Sequence, residues 1–106
     1  MLQNDDLFKS LGDPTRRGLF EHLCLEGEQS VRALTARAGV SQPAVSKHLA
    51  VLKNAGLIEG QPRGREIHYR ARSDALYPLV EWADRMTRFW EGRFDRLDDL
   101  LKRMDQ

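Results

Sequence analysis

Polar and basic side chains line one side of residues 40–56, and their chemical types suit contact with a polyanion. Ser41 stands at the start of the segment, and the side chains on that face are Gln42, Ser46, Lys47 and Lys53. Amide and hydroxyl groups can hydrogen-bond to base edges, whereas lysines and the free amides of a helix N-terminus can pair with phosphates. The face therefore favours a helix that enters a major groove. A solvated surface helix would carry the same residue types, so the neighbouring elements must decide between the two.

A single helix is predicted over residues 40–56, V-S-Q-P-A-V-S-K-H-L-A-V-L-K-N-A-G. Ser41 is a favoured N-cap, Pro43 fits the first turn, and Gly56 is typical of the position just beyond a helix C-terminus. The apolar residues that should face the core recur at helical spacing, and they are Val45, Leu49 and Leu52. His48 falls between the two faces, where we expect it to pack or hydrogen-bond, with a DNA contact as the alternative.

The charge of the chain is unevenly distributed. The whole sequence has a net charge of +1, but residues 30–72 hold eight basic and two acidic side chains. The segments on either side, 1–29 and 73–106, have net charges of −3 and −2. A local positive excess of this kind is typical of a surface that binds a polyanion.

The helix over 40–56 is preceded by another helix and a glycine turn. Ser30 is a predicted N-cap, and Gly39 ends the helix that it starts. Residues 30–56 therefore have the order of a helix-turn-helix, in which the second helix is presented outward.

Residues 57–72 are predicted to form a β-hairpin. Residues 66–71 alternate polar and apolar, as in a half-buried strand, and the Pro/Gly-rich loop over residues 61–65 carries Arg63 and Arg65. A hairpin directly after such a helix is a wing, and arginines at its tip are placed to reach phosphates or the minor groove.

Two helices are predicted ahead of the helix-turn-helix. Asn4 would cap the first, which ends at Gly12, and Asp13 would cap the second, which ends at Gly27. The sequence thus predicts a mainly α fold with a small β-hairpin, a winged helix-turn-helix of order α-α-α-α-β-β-α. We expect one domain over residues 1–106, since this length suits a single core.

Residues 73–106 are predicted to form one long helix, whose regular part begins near Tyr77 because of Pro78. Apolar residues recur along it at alternating intervals of three and four, as in helices that pack against one another. A second apolar stripe on an adjoining face consists of Trp82, Met86 and Phe89. One stripe can cover the domain's own core and the other needs a partner, so we expect a homodimer through this helix, with help from the first. The predicted interface residues are Leu7, Leu76, Val80, Ala83, Thr87, Trp90, Phe94, Leu97 and Leu101.

Residues that could serve catalysis are few and scattered. Asp98 and Asp99 are adjacent and do not share a helix face, and the sequence has no glycine-rich phosphate loop or nucleophile motif. Cys24 is the only cysteine, which excludes an internal disulfide and favours the cytoplasm, and we expect no membrane span and no signal peptide. Cys24 is predicted to be buried or semi-buried, and His68 to be exposed. We predict no enzyme activity, no cofactor and no metal.

Three segments of the chain resemble the ArsR (ArsR/SmtB) family of bacterial transcriptional regulators. They are L-G-D-P-T-R-R-G-L-F-E-H-L at 11–23, V-S-Q-P-A-V-S-K-H-L-A-V-L-K-N-A-G-L-I-E at 40–59 and G-R-E-I-H-Y-R-A at 64–71. The likeness covers residues 5–72, and the tail at 82–101 is similar to a branch with a long terminal helix.

The resemblance implies a winged-helix homodimer that binds double-stranded operator DNA and represses nearby genes. It also implies that Gln42, Ser46 and Lys47 face the groove and that Arg63 and Arg65 lie on the wing.

The sequence departs from the family at its metal sites. One family site uses a Cys-x-Cys pair where this chain has Gln29-Ser30-Val31-Arg32, and another uses Asp and His on the terminal helix, where residues 73–106 contain no His and no Cys. Soft and borderline metals need several such ligands together. We therefore expect a repressor that binds an inverted repeat and does not respond to metals.

Two alternatives stay open. One is a ligand or redox sensor of the same fold, acting through Cys24 or through a cavity between terminal helices. The other is a protein-interaction module that uses the C-terminal helix.

Overall fold

The computed structural model describes the backbone of residues 2–105 and the side chains of residues 5–105. Within these residues, five helices and three short strands follow one another. They are α1 (Leu2–Gly12), α2 (Pro14–Glu26), β1 (Gln29–Ser30), α3 (Val31–Ala38), α4 (Gln42–Asn54), β2 (Ile58–Arg63), β3 (Glu66–Ala71) and α5 (Tyr77–Met104). The predicted winged helix-turn-helix fold is confirmed, with β1 as an addition that the sequence did not predict.

The three strands form one antiparallel sheet in the order β1-β3-β2. β1 pairs with β3 through Ser30 opposite His68, and β2 pairs with β3 along its full length, from Ile58 opposite Ala71 to Arg63 opposite Glu66. The sheet therefore ties the start of α3 to the hairpin.

The chain divides into two compact units, one up to Leu76 and one from Tyr77 onward. The first unit contains the core, which helices α1 to α4 and the sheet bury together. Its apolar members are Leu7, Leu19, Phe20, Leu23, Leu34, Val45, Leu49, Leu52, Leu57 and Ile58. The three residues predicted to face the core from α4 are all buried. The expectation of a single domain stays a prediction.

Local capping sets most of the helix ends. The side chains of Asp13, Ser30 and Ser41 each accept a hydrogen bond from the backbone N–H of the residue three positions later. The distances are 2.9, 3.1 and 3.3 Å. These three N-caps are confirmed. The cap predicted at Asn4 is wrong, because α1 begins at Leu2 and runs through Asn4. Leu and Gln are good helix formers, so the residues before Asn4 continue the helix instead of ending it.

The turn between β2 and β3 is shorter than predicted. β2 continues through Pro62 to Arg63, and only Gly64 and Arg65 remain as the loop. Pro62 is tolerated because β2 is an edge strand, whose outward side needs no ladder hydrogen bond. Gly64 has φ +64° and Arg65 has a negative φ, the signs of a type II′ hairpin turn with glycine first.

Helix α5 forms the second unit and spans about 42 Å at 1.5 Å per residue. It begins at Tyr77, as predicted. None of its residues is buried. Two i,i+4 ion pairs brace its polar side, from Arg88 to Asp84 at 3.0 Å and from Lys102 to Asp98 at 3.5 Å.

Candidate nucleic-acid interface

The face of α4 opposite its core stripe is exposed. The side chains that the sequence assigned to DNA contact on this helix are all solvent-accessible, and they are Ser41, Gln42, Ser46, Lys47 and Lys53. Val45, Leu49 and Leu52 on the other side anchor the helix in the core. The structure therefore brings one amide, two hydroxyls and two ammonium groups to the surface of a single rigid element.

The turn before α4 sets how the helix is presented. Gly39 ends α3 in the left-handed region at φ +69°, a conformation that glycine adopts at little cost. Ser41 then starts α4, and its side chain accepts the amide of Ala44. Leu34 of α3 is fully buried. These features give the compact helix-turn-helix that the sequence predicts.

His48 links α4 to the start of α2. Its Nδ1 lies 3.4 Å from Nη1 of Arg16. A guanidinium only donates hydrogen bonds, so Nδ1 accepts, and the neutral ring then carries its proton on Nε2. His48 is half-buried, which agrees with the packing and hydrogen-bonding role predicted for it.

Arg16 and Arg17 cap the C-terminal end of α1. Arg16 donates from Nε to the carbonyl of Ser10 at 2.9 Å and from Nη2 to that of Lys9 at 3.2 Å, and Arg17 donates from Nη1 to the carbonyl of Leu11 at 2.8 Å. These carbonyls lack partners within the helix, and the cationic groups also suit its negative end. Sequence reasoning missed this role, although two arginines in the first turn after a helix stop are a recognisable signal for it.

The two arginines of the wing differ in their surroundings. Arg65 lies in the turn and is exposed, and no side chain among residues 5–105 forms an ion pair or hydrogen bond with it. Arg63 ends β2 and binds Glu28, through Nε to Oε2 at 2.9 Å and through Nη2 to Oε1 at 3.0 Å. The sequence predicted two arginines at the tip, and the structure distinguishes Arg65, which has no ionic partner among residues 5–105, from Arg63, which is paired with Glu28.

Glu28 is the residue of this region that sequence reasoning missed. It lies just before β1 and also faces His68, whose Nδ1 is 3.5 Å from its Oε2. The hydrogen bond from Arg63, with the nearby positive charges, lowers the pKa of the Glu28 carboxyl below its usual value.

His68 is only 27% exposed, so the expectation that it is exposed is wrong. His68 lies between two carboxylates, because Glu66, two residues earlier on the same face of β3, lies 3.5 Å from its Nε2.

The residues predicted at a dimer interface differ in their burial. Leu7 is 4% exposed and packs in the chain's own core, so little of its surface remains for a partner. Leu76 is half-buried, at the end of the first unit. The members on α5 are all exposed, and they are Val80, Ala83, Thr87, Trp90, Phe94, Leu97 and Leu101.

Cys24 lies on the surface of α2, and the expectation that it is buried or semi-buried is wrong. Core positions on this helix belong to Leu19, Phe20 and Leu23, which leaves Cys24 on the outer side. Partial desolvation and the carboxylate of Glu21 raise the pKa of its thiol. A raised pKa favours the thiol over the reactive thiolate, which gives no support to a redox role.

Among the side chains of residues 5–105, no three or more His, Cys, Asp or Glu residues converge in a way that could hold a metal ion. Within the described part of the chain, no helix is both long enough and apolar enough to cross a membrane. The cavity between terminal helices that the sensor alternative requires stays a prediction.

An anchored helix with a polar outer face, presented by a glycine turn and followed by a hairpin with arginines, defines the class of winged helix-turn-helix DNA-binding regulators. Residues 13–59 match the family model described as bacterial regulatory protein, arsR family. The chain belongs to the ArsR family of bacterial transcriptional regulators, which are DNA-binding proteins and not enzymes.

Relatives from several bacteria support this assignment. The arsenic resistance transcriptional regulator ArsR1 of Pseudomonas putida is 38% identical over 81 residues, which cover 76% of this chain and 59% of that protein. The transcriptional repressor SdpR of Bacillus subtilis is 30% identical over 78 residues, covering 74% of this chain and 86% of that protein. An ArsR-like transcriptional regulator from Rhodococcus sp. RHA1 has a similar structure, with a TM-score of 0.79, 31% identity and coverage of 93% and 92%. The chain therefore spans 59% of the first of these relatives and nearly all of the third.

Proposed function

We propose that the protein is a sequence-specific transcriptional repressor that binds an inverted-repeat operator as a homodimer. The observation that carries the proposal is the exposed polar face of α4, held by a buried apolar stripe and followed directly by the wing. Relatives such as SdpR are named as transcriptional repressors, which supports repression as the outcome of binding. The site of action would be the cytoplasm, where bacterial DNA lies.

In this proposal α4 reads base edges and the wing holds the backbone. Gln42 and Ser46 supply hydrogen-bonding groups for the major groove, and Lys47 and Lys53 supply charges for phosphates. Ser41 caps the N-terminus of α4, and the helix dipole adds a positive pole for a phosphate there. Arg65 reaches the backbone or the minor groove beside the site.

A homodimer would place two copies of α4 in successive major grooves about 34 Å apart, which matches an inverted repeat. Support comes from α5, a 28-residue helix with exposed apolar side chains at heptad spacing. A contiguous apolar surface of this kind on a small protein usually marks an interaction site.

We also propose that operator binding does not depend on a metal ion. The support is the sequence at the positions where the family carries its ligands: residues 29–32 lack the Cys-x-Cys pair, and α5 contains no His or Cys. A titration of the operator complex with zinc and with a chelator tests this, because metal-induced release of DNA would contradict it.

The test of the interface separates phosphate contacts from base contacts. Arg65→Ala should weaken binding to all DNA sequences and lower the slope of log affinity against log salt by about 0.9, the value for one phosphate. Gln42→Ala should instead relax preference at one base pair by about 1–3 kcal/mol and leave the slope unchanged.

The measurement is fluorescence anisotropy of labelled operator and of variants at single base pairs, at several salt concentrations. Lys102→Ala serves as the control, since this exposed lysine lies on α5, in the other compact unit. If Arg65→Ala and Gln42→Ala both bind like the parent protein, the assignment of α4 and the wing to DNA is wrong.

A further inference from the structure

We propose that Glu28 is a positioning residue that holds Arg63 away from the DNA backbone, so that a phosphate must displace its carboxylate before Arg63 can contribute to binding. The inference rests on the proposed function and adds a residue outside the helix-turn-helix and the wing. It makes the wing asymmetric, with Arg65 ready for a phosphate and Arg63 restrained.

The sheet places Glu28 and Arg63 together. Side chains two apart on a strand share a face, so Glu66, His68 and Arg70 of β3 lie on one side of the sheet. The register puts Arg63 of β2 opposite Glu66 on that same side. Because β1 pairs with β3 on the other edge, the residue before β1, Glu28, reaches across His68 to Arg63.

The contact between Arg63 and Glu28 is bidentate. Two nitrogens of the Arg63 guanidinium meet the two oxygens of the Glu28 carboxylate at 2.9 and 3.0 Å. This fork geometry is the one with which a guanidinium also binds a phosphate. Carboxylate and phosphate therefore compete for the same donor atoms of Arg63.

The pair is accessible enough for that competition. The side chains of Arg63 and Glu28 are 52% and 26% exposed. Exposed ion pairs contribute little net stability, so a phosphate can replace the carboxylate. When Arg63 binds a phosphate instead, Glu28 still has His68 as a partner, at 3.5 Å. The released carboxylate is therefore not left without a polar contact.

A second ion pair on the same sheet face provides a matched control. Glu59 on β2 binds Nε of Arg70 at 2.6 Å, and the two residues are 42% and 50% exposed. Glu59→Gln removes the same charge from the same sheet without touching Arg63. General electrostatic repulsion of DNA would affect both positions alike, whereas restraint of Arg63 is specific to Glu28.

The experiment measures operator affinity against salt for Glu28→Gln, Glu59→Gln, Arg63→Ala and the double variant Glu28→Gln with Arg63→Ala. Glu28→Gln should raise affinity about two- to fivefold, the range expected when an exposed ion pair is released. It should also steepen the salt slope by up to about 0.9, as Arg63 engages one more phosphate. Glu59→Gln should leave the slope unchanged, and the gain from Glu28→Gln should vanish without Arg63.

Three outcomes would overturn the inference. They are an equal effect of Glu28→Gln and Glu59→Gln, a gain that persists in the Arg63→Ala background, and a loss of affinity in Glu28→Gln with an unchanged melting temperature. Glu28→Ala repeats the test if the glutamine variant is unstable. Absence of operator binding by the unmodified protein, or parent-like binding by both Arg65→Ala and Gln42→Ala, would instead contradict the proposed function.

Discussion

Asp13 and the arginines after it organise the corner between α1 and α2. The Asp13 carboxylate accepts the backbone N–H of Arg16, and this hydrogen bond is the main reason that the pKa of the carboxyl is lowered. The side chains of Arg16 and Arg17 turn back to the last carbonyls of α1. One short motif thus ends the first helix and starts the second, while Arg16 also meets His48 of α4.

The lowered pKa of Asp13 predicts a dependence of stability on pH. A carboxyl whose pKa is lower in the folded state contributes stability above its ordinary value of 3.8 and loses it as the pH falls through the folded value. Asp13→Asn keeps a capping side chain but removes the charge. We expect the parent protein to melt at a higher temperature than Asp13→Asn at neutral pH, and the difference to vanish in acid.

Thermal unfolding followed by circular dichroism between pH 2.5 and 7 measures this difference. Asp99→Asn on α5 is the control, because Asp99 is exposed and caps no helix. A difference between the parent protein and Asp13→Asn that stays constant down to the lowest pH would contradict the assignment.

Single residues were predictable from the sequence where the determinant is local. The caps at Asp13, Ser30 and Ser41 follow from residue type and position, because the bond joins residues three apart. The pairing of Glu28 with Arg63 joins residues 35 apart and exists only once the sheet register is set. The surface position of Cys24 likewise depends on which side of α2 meets the core.

Among the elements, α4 and its cap carry the candidate interface. Ser41 satisfies an amide of the first turn, which would otherwise lose its hydrogen bond when the chain folds. The apolar stripe beneath the helix fixes its rotation about its own axis, so the same residues that stabilise α4 decide which side chains face outward.

Ser41→Ala should lower the free energy of unfolding by about 1 kcal/mol, as is typical for the loss of an N-cap. Ser46→Ala provides a matched control, because it makes the same change at an exposed position within the same helix. Urea unfolding at equilibrium measures both variants. Equal effects of the two substitutions would show that the hydroxyl of Ser41 does not stabilise α4.

The helices were largely predictable because their apolar periodicity and their caps depend on residues close together in sequence. The sheet was less so: β1 has two residues, too few for any alternating pattern, and it exists through its pairing with β3. Because proline is typical of loops, Pro62 led to the prediction of a loop at residues 61–65. In the structure Pro62 lies within β2, where the edge position of the strand accommodates it.

At the scale of the whole molecule, the prominent feature is the exposed apolar surface of α5. The rings of Trp90 and Phe94 lie 5.9 Å apart, and the Arg93 guanidinium lies 4.8 Å from the centre of the Phe89 ring. Heptad spacing in the sequence predicted the apolar pattern of the helix. The partner that would cover it cannot be read from one sequence, because the same stripe fits a second copy or another helix.

Leu97→Glu should dissociate the proposed dimer, because it puts a charge into an apolar helix seam. Operator affinity should fall with it, since each protomer then engages only half of the site. Leu25→Glu is the control, because Leu25 is 83% exposed at the end of α2. Sedimentation velocity over a range of protein concentrations measures the oligomeric state. A parent protein that is monomeric at all concentrations would contradict the proposed homodimer.

Both tryptophans of the chain, Trp82 and Trp90, lie on α5. Tryptophan fluorescence, excited selectively over that of the tyrosines, is therefore an optical probe confined to one helix. Trp90 is 54% exposed, so a partner that covers it would shift its emission to shorter wavelength. Events at the terminal helix and events at the DNA can thus be followed separately in one cuvette, without attaching a dye to the protein.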